Sequence, residues 1–392
     1  MGRSVARSWS PPSTPTSCGA PVDPGANERY PLAREVPGCT YQGHPLPCRY
    51  VSHPDEAAAA AAGADATIWH APTGCWAPRR PPGSKHLRVV ASTESSVYYN
   101  CLDDPGFMSQ FDVEMTYRLC SQVPLLYFVD RYASLAPDGL LRPPLPFAEK
   151  LDALAVVVSN CQGEGAFSGR ARVLREVARL AEARGARVRV LSYGRCDTNA
   201  PFPPELGGDK VALLARHKFC CAMENSIAQD YVTEKLWDAL TAGCVPVYLG
   251  APNAADFLPS EGAAILYGAG AIRTPEDLLD EMERLAGDEA AYAAKLAWKL
   301  AGQRWGGGEA GGGGGGEPAP GLARPEEDFG PRFRAFLAQT ELHRPHAQCQ
   351  LCQLVAAHRA RPRRYTTCLW NETWLAAARR LPPLPAVGLG SE

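Results

Sequence analysis

The sequence predicts an α/β protein with two halves. Apolar strands alternate with helices from residue 153 to residue 250, which is typical of a parallel sheet that is covered on both faces. Short apolar strands such as 86–92 and 123–129, separated by polar turns, lie in the segment before it. A proline-rich hinge, "RPPLPF" at 142–147, separates the two halves.

The second half has the clearer pattern. Its predicted elements are strand 153–160, helix 170–185, strand 187–194, helix 210–218, strand 219–223, helix 230–242 and strand 244–250. A helix over 274–288 follows, and it opens with Thr274 and early acidic residues, as helix starts do. A further helix is predicted over 292–305, and helical character returns at "PRFRAFLAQTEL" near the C-terminus.

Composition completes the domain boundaries. Residues 1–62 are rich in proline and alanine and predict a disordered extension, so the first α/β domain spans 63–147 and the second 148–305. The glycine-rich run within 306–324 can bury nothing and predicts a flexible insertion. A helix and a cysteine-containing tail then occupy 325–392.

Net charge and cysteine content narrow the possible classes of function and the cellular compartment. A net charge of −2 argues against a general nucleic-acid binder, because phosphate binding at scale needs a basic excess. Fourteen cysteines and a glycosylation sequon at Asn371 favour a secretory, oxidising compartment over the alternative, a cysteine-rich cytosolic protein. No run of eighteen apolar residues and no signal-peptide core occur in the sequence. A secretory location therefore implies a membrane anchor that is not visible in this chain.

The candidate site lies in "CCAMENSIAQDYVTEKLWDALTAGCVPVYLGAP", residues 220–252. Asp230 is expected to cap a helix that ends at Gly243. Tyr231, Glu234 and Asp238 have the spacing of one helical face, close after the carboxyl end of strand 219–223. Ligand crevices in open α/β sheets lie at this end, and helix N-termini favour anions.

A ligand with both hydroxyl and phosphate groups would suit this segment. Glu234 could accept hydrogen bonds from sugar hydroxyls, while Lys235 and Tyr231 address phosphate oxygens. The alternative is an ordinary amphipathic surface helix with a local Glu–Lys pair.

Better-known phosphate signatures are missing. The sequence has neither GxxxxGK[ST] nor the DxD that often holds a metal on a nucleotide-sugar. "GEGAFSG" at 163–169 is a loose relative of the dinucleotide fingerprint, but its spacing is one residue too long and no acidic residue closes the next strand. An oxidoreductase is thus the weaker alternative.

The segment 222–252 resembles the donor-binding signature of family-10 glycosyltransferases, the α-1,3-fucosyltransferases. "VVVSNC" with "SYGRC", and "ASTESSVYYN" with "DVEMTYRLCSQVPLLYF", resemble further family segments in the same order. The resemblance covers roughly residues 86–305. "WKLAGQ" and "CQLC" look most like the core-type branch, which in plants and invertebrates modifies the innermost N-acetylglucosamine (GlcNAc) of N-glycans.

The resemblance implies a GT-B-like fold, two Rossmann-like domains facing a cleft, and an inverting transfer of fucose from GDP-fucose in α-1,3 linkage. The acceptor would be a GlcNAc of a glycoprotein N-glycan. In this chemistry the acceptor hydroxyl needs a base, and Glu94 holds the matching position in the first domain. A surface carboxylate without a catalytic role is the alternative for Glu94. A Golgi location also follows from the resemblance.

Positive charge must neutralise the departing diphosphate in the absence of a DxD. By the resemblance Lys235 and Arg170 supply it together with helix N-termini, and Arg172 is the near competitor of Arg170. No cofactor is strictly required, although Mn²⁺ or Mg²⁺ could stimulate the reaction.

The remaining donor contacts also follow from the resemblance. Asn225 and Glu234 would hold fucose hydroxyls or the nucleotide, Tyr231 would contact the diphosphate, and Glu224 would be structural. Met223 departs from the family, which usually has Phe there, and this alters the packing beside Glu224.

Two questions stay open from the sequence. For the CxxC at Cys349 and Cys352 the branch resemblance implies a structural disulfide in that region, and a zinc site that includes Cys368, His346 and His358 is the alternative. For the function, the alternatives are a protein O-fucosyltransferase and a catalytically silent sugar-nucleotide binder.

Overall fold

The computed structural model describes residues 3–8, 35–53, 56–80, 86–128, 139–161, 167–301 and 329–371. The chain divides into two compact units. Unit 1 comprises Met1–Leu125 and Arg344–Arg379, and unit 2 comprises Leu126–His343 and Arg380–Glu392. Within the described ranges, no helix combines the length and the apolar character needed to span a bilayer.

The strands are β1 (Arg3–Ser8), β2 (Thr40–Tyr41), β3 (His44–Pro45), β4 (Cys48–His53), β5 (Ala66–His70), β6 (Leu87–Ser92), β7 (Val113–Thr116), β8 (Leu151–Val156), β9 (Arg189–Ser192), β10 (His217–Met223), β11 (Val245–Leu249) and β12 (Ile265–Leu266). The helices are α1 (Glu56–Ala61), α2 (Pro105–Met108), α3 (Arg170–Arg184), α4 (Lys210–Ala215), α5 (Glu234–Ala242), α6 (Pro275–Gly287), α7 (Glu289–Lys295), α8 (Ala297–Ala301), α9 (Pro331–Leu337) and α10 (Ala347–Ala360).

Unit 1 contains a five-stranded sheet in the order β4-β1-β5-β6-β7, and every pair in it is parallel. Counted among the sheet strands alone, this is the 2-1-3-4-5 order of doubly wound folds. The apolar residues of β5, β6 and β7 pack in one cluster with those of α10. Disulfides Cys39–Cys349 and Cys48–Cys352 attach α10 to the N-terminal segment.

Unit 1 differs from the predicted organisation at both ends. Within the expected disordered extension 1–62, the described residues form β1 to β4 and α1. Strand β1 has the polar sequence "RSVARS", and it belongs to the sheet through backbone pairing with β4 and β5, which composition does not reveal. The part of the C-terminal tail that contains α10 belongs to unit 1 and is no separate appendage.

Unit 2 contains a second five-stranded parallel sheet, in the order β12-β11-β10-β8-β9. This is again the 2-1-3-4-5 order, and the chain reverses direction across the sheet between β8 and β10. Helices α3 and α6 cover the sheet with buried aliphatic residues such as Val177 and Leu278. The predicted α/β class with two Rossmann-like sheets is therefore confirmed.

The helices and strands predicted for unit 2 are present with shifted bounds, but two of the helix predictions are wrong in detail. Helix 230–242 begins only at Glu234, because Asp230 has a φ of 65° and cannot belong to a right-handed helix. Thr233, not Asp230, is the N-cap, while the end at Gly243 (φ 70°) is confirmed. The predicted helix 292–305 is divided between α7 and α8, and its last residues lie outside the described ranges.

Two further predicted segments lie partly or wholly outside the described residues. Segment 123–129 is not a strand over its described part, although the Leu125 amide donates to the Thr116 carbonyl across 2.7 Å. The glycine-rich insertion 306–324 lies wholly outside the described residues.

Candidate functional site

The candidate site of unit 2 lies at the topological switch point of its sheet. Residues 157–161 follow β8, and Glu224 follows β10 directly, so both lie at the carboxyl edge where the strand order reverses. The N-terminus of α5 reaches the same edge, because the Thr233 amide donates to the Glu224 carboxylate. Doubly wound sheets bind their ligands at this place.

Glu224 organises the network. Its side chain is fully buried, and its Oε1 accepts hydrogen bonds from the Thr233 amide (2.7 Å) and the Thr233 hydroxyl (2.9 Å). The Lys235 ammonium lies 3.1 Å from Glu224 Oε2 and 2.7 Å from Thr233 Oγ1. A buried carboxylate thereby holds the first turn of α5 and one cation in fixed positions, the structural role predicted for Glu224.

Lys235 is the cation of this network, and it reaches solvent. Its side chain is 20% exposed, and its ammonium also lies 3.3 Å from Glu234 Oε1. Burial lowers the pKa of Lys235, but the Glu224 and Glu234 carboxylates raise it by more, so the net shift is upward. Lys235 is therefore a permanent cation at neutral pH, suited to phosphate oxygens.

Gly250 leaves space for the side chains of Glu224 and Tyr248. A Cβ at this position would lie 2.7 Å from Glu224 Cγ and would also collide with the Tyr248 ring, so only glycine fits. The buried Tyr248 hydroxyl accepts from the Ala251 amide across 2.9 Å and donates to the Tyr231 carbonyl at 3.4 Å. Burial, together with Glu224, keeps the pKa of Tyr248 well above its usual value, so this hydroxyl stays neutral.

Arg170 connects the two strands of the switch point. It is the first residue of α3 and is only 3% exposed. Its Nη1 donates to the Met223 carbonyl (3.0 Å) and its Nη2 to the Asn160 carbonyl (3.4 Å). Its competitor Arg172 is exposed on α3, so only Arg170 is built into the site.

Asn225 and Tyr231 lie in the loop between β10 and α5. Asn225 is half-buried; its carbonyl accepts from the Ser168 amide (3.3 Å), while the Ser168 hydroxyl donates to the Glu224 carbonyl (2.7 Å). The Tyr231 ring is 2% exposed and packs edge-on against Tyr127. The structure thus brings Arg170, Asn225, Tyr231, Glu234 and Lys235 to one edge of one sheet.

The predicted face of Tyr231, Glu234 and Asp238 is wrong. Tyr231 precedes the helix, and Asp238 is 1% exposed on the inner side of α5, where it pairs with Lys210 of α4 across 2.9 Å. The spacing rule fails because α5 begins three residues after Tyr231.

Glu94 belongs to unit 1. It follows the carboxyl end of β6 and is half-buried. The Ser92 hydroxyl accepts from the Glu94 amide (3.0 Å) and donates to the Glu94 carbonyl (2.9 Å), so a tight turn fixes the backbone of this residue. Burial and the negative charge of Glu94 raise the pKa of Tyr99, which places the two side chains in one electrostatic environment.

The cysteines of the tail form disulfides. Cys349 pairs with Cys39, Cys352 with Cys48, and Cys368 with Cys120. The disulfide expectation for the CxxC region is confirmed, whereas the zinc alternative is wrong because its thiolates are consumed. Among the described residues, no group of three or more His, Cys, Asp or Glu side chains could hold a metal ion.

Several site residues escaped the sequence analysis. Thr233 immediately precedes the acidic first turn of α5, which is an ordinary N-cap signal. Ser168, Tyr248 and Gly250 carry no such signal, because their roles depend on segments far from them in the sequence.

This geometry defines the class of unit 2. A cation, a buried arginine and a helix N-terminus lie at the switch point of a doubly wound parallel sheet, an arrangement typical of domains that bind phosphorylated ligands.

The family follows from a comparison of sequences. The sequence model of glycosyltransferase family 10 (fucosyltransferase), C-terminal part, matches residues 147–304, which contain every site residue of unit 2 named above. Over this segment the chain is similar to glycosyltransferase family 10. The family predicted from the sequence is confirmed, and the core-type branch stays a prediction.

Individual relatives match shorter or longer parts of the chain. A human "GDP-fucose protein O-fucosyltransferase 3" is 35% identical over 234 residues, 57% of this chain and 46% of that protein. Its Bos taurus counterpart is 41% identical over 123 residues, 30% of this chain and 25% of that protein. A "putative fucosyltransferase-like protein" of Arabidopsis thaliana is 35% identical over 225 residues, 56% of this chain and 39% of that protein. The chain therefore spans less than half the length of each of these relatives.

Solved structures give a weaker likeness. An α1,3-fucosyltransferase crystallised with GDP-fucose has 16% identity and a TM-score of 0.43, covering 64% of this chain and 72% of that one. The structure with GDP has 14% identity and a TM-score of 0.44, covering 75% of this chain and 81% of that one. The fold assignment rests on the two sheets described above.

Proposed function

We propose that the protein is an inverting fucosyltransferase that uses GDP-fucose as its donor. The observation that carries this proposal is the network of Glu224, Thr233 and Lys235 at the switch point of the family-10 domain. In the proposed complex with GDP-fucose, Lys235 and Arg170 face the diphosphate. Asn225, Tyr231 and Glu234 hold the sugar and the nucleotide. The names of several relatives, which include GDP-fucose, support the choice of donor.

In the proposed reaction, the acceptor hydroxyl oxygen forms a bond to the anomeric carbon of fucose. The bond between that carbon and the β-phosphate oxygen breaks, and its electron pair leaves with GDP. The proton of the hydroxyl passes to the carboxylate of Glu94. Lys235 and Arg170 stabilise the charge that develops on the diphosphate.

The donor proposal is tested by GDP binding. GDP should raise the melting temperature of the protein, and Lys235→Ala should weaken GDP affinity by about 10- to 100-fold, because a charged hydrogen-bond donor is lost. Lys295→Ala is the matched control, since Lys295 is a partly exposed lysine of α7 in the same unit. If GDP gives no protection, or if both variants bind it equally, the donor assignment is wrong.

Glu94→Gln tests the base. Turnover should fall by about 10²–10⁴-fold, because the amide cannot accept the proton, while GDP binding should not change. Initial rates with GDP-fucose at saturation measure the first effect, and GDP titration measures the second. Unchanged turnover would remove Glu94 from the mechanism. A wild-type protein that binds GDP and transfers nothing would instead indicate a silent sugar-nucleotide binder.

Two finer proposals differ in the acceptor that receives the fucose. An α-1,3 transfer to the GlcNAc of an N-glycan core follows from the predicted branch. Transfer to a protein hydroxyl is equally well supported, because several relatives are named protein O-fucosyltransferase. Mass spectrometry of products from a panel of glycopeptides and folded protein domains decides between them: fucose on Ser or Thr alone excludes the first, and fucose on GlcNAc alone excludes the second.

We also propose that the protein works in the lumen of the Golgi. The disulfides of the described residues support this, because such bonds form and persist in oxidising compartments. Immunofluorescence of the full-length protein beside a Golgi marker tests it, and a diffuse cytosolic signal would contradict it.

A further inference from the structure

Unit 1 carries a groove on its surface that no step of the proposed reaction uses. Two adjoining hollows, of about 440 Å³ and 490 Å³, share Trp76, Ala77 and Gln110 in their linings. Both volumes are in the range of small-molecule sites. Trp76 is 65% exposed, which is unusual for so large an aromatic side chain in a monomer.

Several of the remaining lining residues are polar and suited to hydroxyl groups. Asn100 and Asp104 line the first hollow together with Gln110, and Arg79 lines the second. Planar amides both donate and accept hydrogen bonds and a carboxylate accepts them, so this set matches ligands that carry many hydroxyls. The exposed face of an indole complements the apolar C–H face of a pyranose ring.

Two contacts restrain the backbone segments that carry the groove. Disulfide Cys75–Cys101 joins the segment of Trp76 to the segment of Asn100, with 5.5 Å between its Cα atoms. The Asp104 carboxylate accepts a hydrogen bond from the Phe107 amide (2.7 Å), and Phe107 belongs to the buried cluster below. Binding here would therefore cost little ordering of the backbone.

The groove and Glu94 lie at the same edge of the unit 1 sheet. Trp76 follows β5 and Asn100 follows β6, and these neighbouring parallel strands end at the same edge of the sheet. Glu94 is separated from Asn100 only by a turn in which the Tyr98 and Tyr99 amides donate to the Ser95 carbonyl at 3.0 and 3.1 Å. One molecule could thus occupy the groove and extend towards the carboxylate.

We infer that the groove beside Trp76 binds a carbohydrate of at least two rings, with one pyranose stacked on the indole. The inference rests on the proposed function, since it assigns the groove to the glycan part of the acceptor. A short peptide fits the lining less well, because both hollows are open to solvent and neither offers an enclosed apolar pocket for an anchoring side chain.

The test uses N,N′-diacetylchitobiose as the probe, with the full chain and saturation-transfer NMR. The wild-type protein should bind the disaccharide weakly, and Trp76→Ala should weaken binding by at least about fivefold. Trp370→Ala is the matched control, because Trp370 is another tryptophan of unit 1, 45% exposed and outside the groove. Its affinity for chitobiose should equal that of the wild type. Gln110→Ala, which removes one amide and leaves the indole, should give a smaller loss.

The outcomes separate this inference from the proposed function. The inference is overturned if the wild type gives no saturation transfer to chitobiose, or if Trp76→Ala binds it as well as the wild type does. It is also overturned if Trp76→Ala impairs only unglycosylated peptide acceptors. GDP protection against heat, measured on the same samples, reports on the donor site alone. If GDP does not protect the protein against heat but chitobiose still binds, the donor proposal is refuted and the inference about the groove stands.

Discussion

The two units share one strand order but are stabilised differently. In unit 1, three disulfides join cysteines that lie 310, 304 and 248 positions apart, and they attach the C-terminal segment to the sheet. In unit 2 the described disulfides are local, with separations of 35 and 24, and the apolar cluster runs continuously from the sheet into α3 and α6. Unit 1 therefore adds covalent closure of long loops to its apolar clusters, whereas the disulfides of unit 2 close only short loops.

The largest expected effect comes from removing the two bridges of α10. The double variant Cys39→Ser/Cys48→Ser should lower the free energy of unfolding by about 5 kcal/mol. This is the chain-entropy value for a loop of about 100 residues, the length that remains because Cys120–Cys368 still joins the two ends of the chain. Cys48→Ser alone should cost much less, because Cys39–Cys349 still closes nearly the same loop. Urea unfolding measures both variants.

The matched comparison for the disulfides is Cys161→Ser in unit 2. Its bridge to Cys196 spans 35 positions, so its loss should cost about 4 kcal/mol. If the double variant of unit 1 loses less than this single variant of unit 2, the contrast between closure of long and short loops is wrong.

The second prediction concerns the buried charge of unit 2. Glu224→Gln should destabilise the protein by about 3 kcal/mol, because Lys235 and Thr233 lose their buried charged partner. GDP affinity should fall as well, since Lys235 is no longer fixed. Thermal unfolding with and without GDP measures both effects.

Glu234→Gln is the control for Glu224, because the Glu234 side chain is 27% exposed and its ion pair with Lys235 is partly solvated. Its loss should cost less than about 1 kcal/mol. Equal destabilisation by the two variants would show that burial of Glu224 does not govern the network.

The smallest effect is a pH dependence of unit 2. Burial lowers the pKa of His217 below its usual 6.5; the Leu213 carbonyl opposes this shift, whereas the charges of Lys150, Arg216 and Arg189 reinforce it. The unfolded chain takes up a proton as pH falls through 6.5, while the folded state resists protonation at this site. Stability should therefore decline below pH 6.5 because of His217.

His217→Gln should flatten this decline between about pH 5 and pH 6.5. The glutamine keeps hydrogen-bonding capacity towards the Leu213 carbonyl and the Tyr193 hydroxyl, both 2.9 Å from the ring. His343→Gln is the control, because His343 is exposed. Urea midpoints across this pH range provide the measurement, and parallel curves for the wild type and His217→Gln would contradict the prediction.

The sequence by itself determined the elements and the neighbourhood of the site. The sequence predicted the alternation of apolar strands and helices from 153 to 250, the start of α3 at Arg170 and the end of α5 at Gly243. These features were predictable because periodicity and helix caps act over a few residues. The segment 220–252 was likewise identified from its own residue types.

Only the tertiary structure decided the partners. The pairing of Cys39 with Cys349, the entry of β1 into the sheet and the use of Thr233 as the cap held by Glu224 each join segments that carry no local sign of one another. Asp230 illustrates the same limit, since its φ of 65° accompanies a contact in which its amide donates to Asn253 Oδ1 across 2.9 Å, 23 residues away. Local propensities specify what each segment can become, whereas packing between distant segments selects which contacts form.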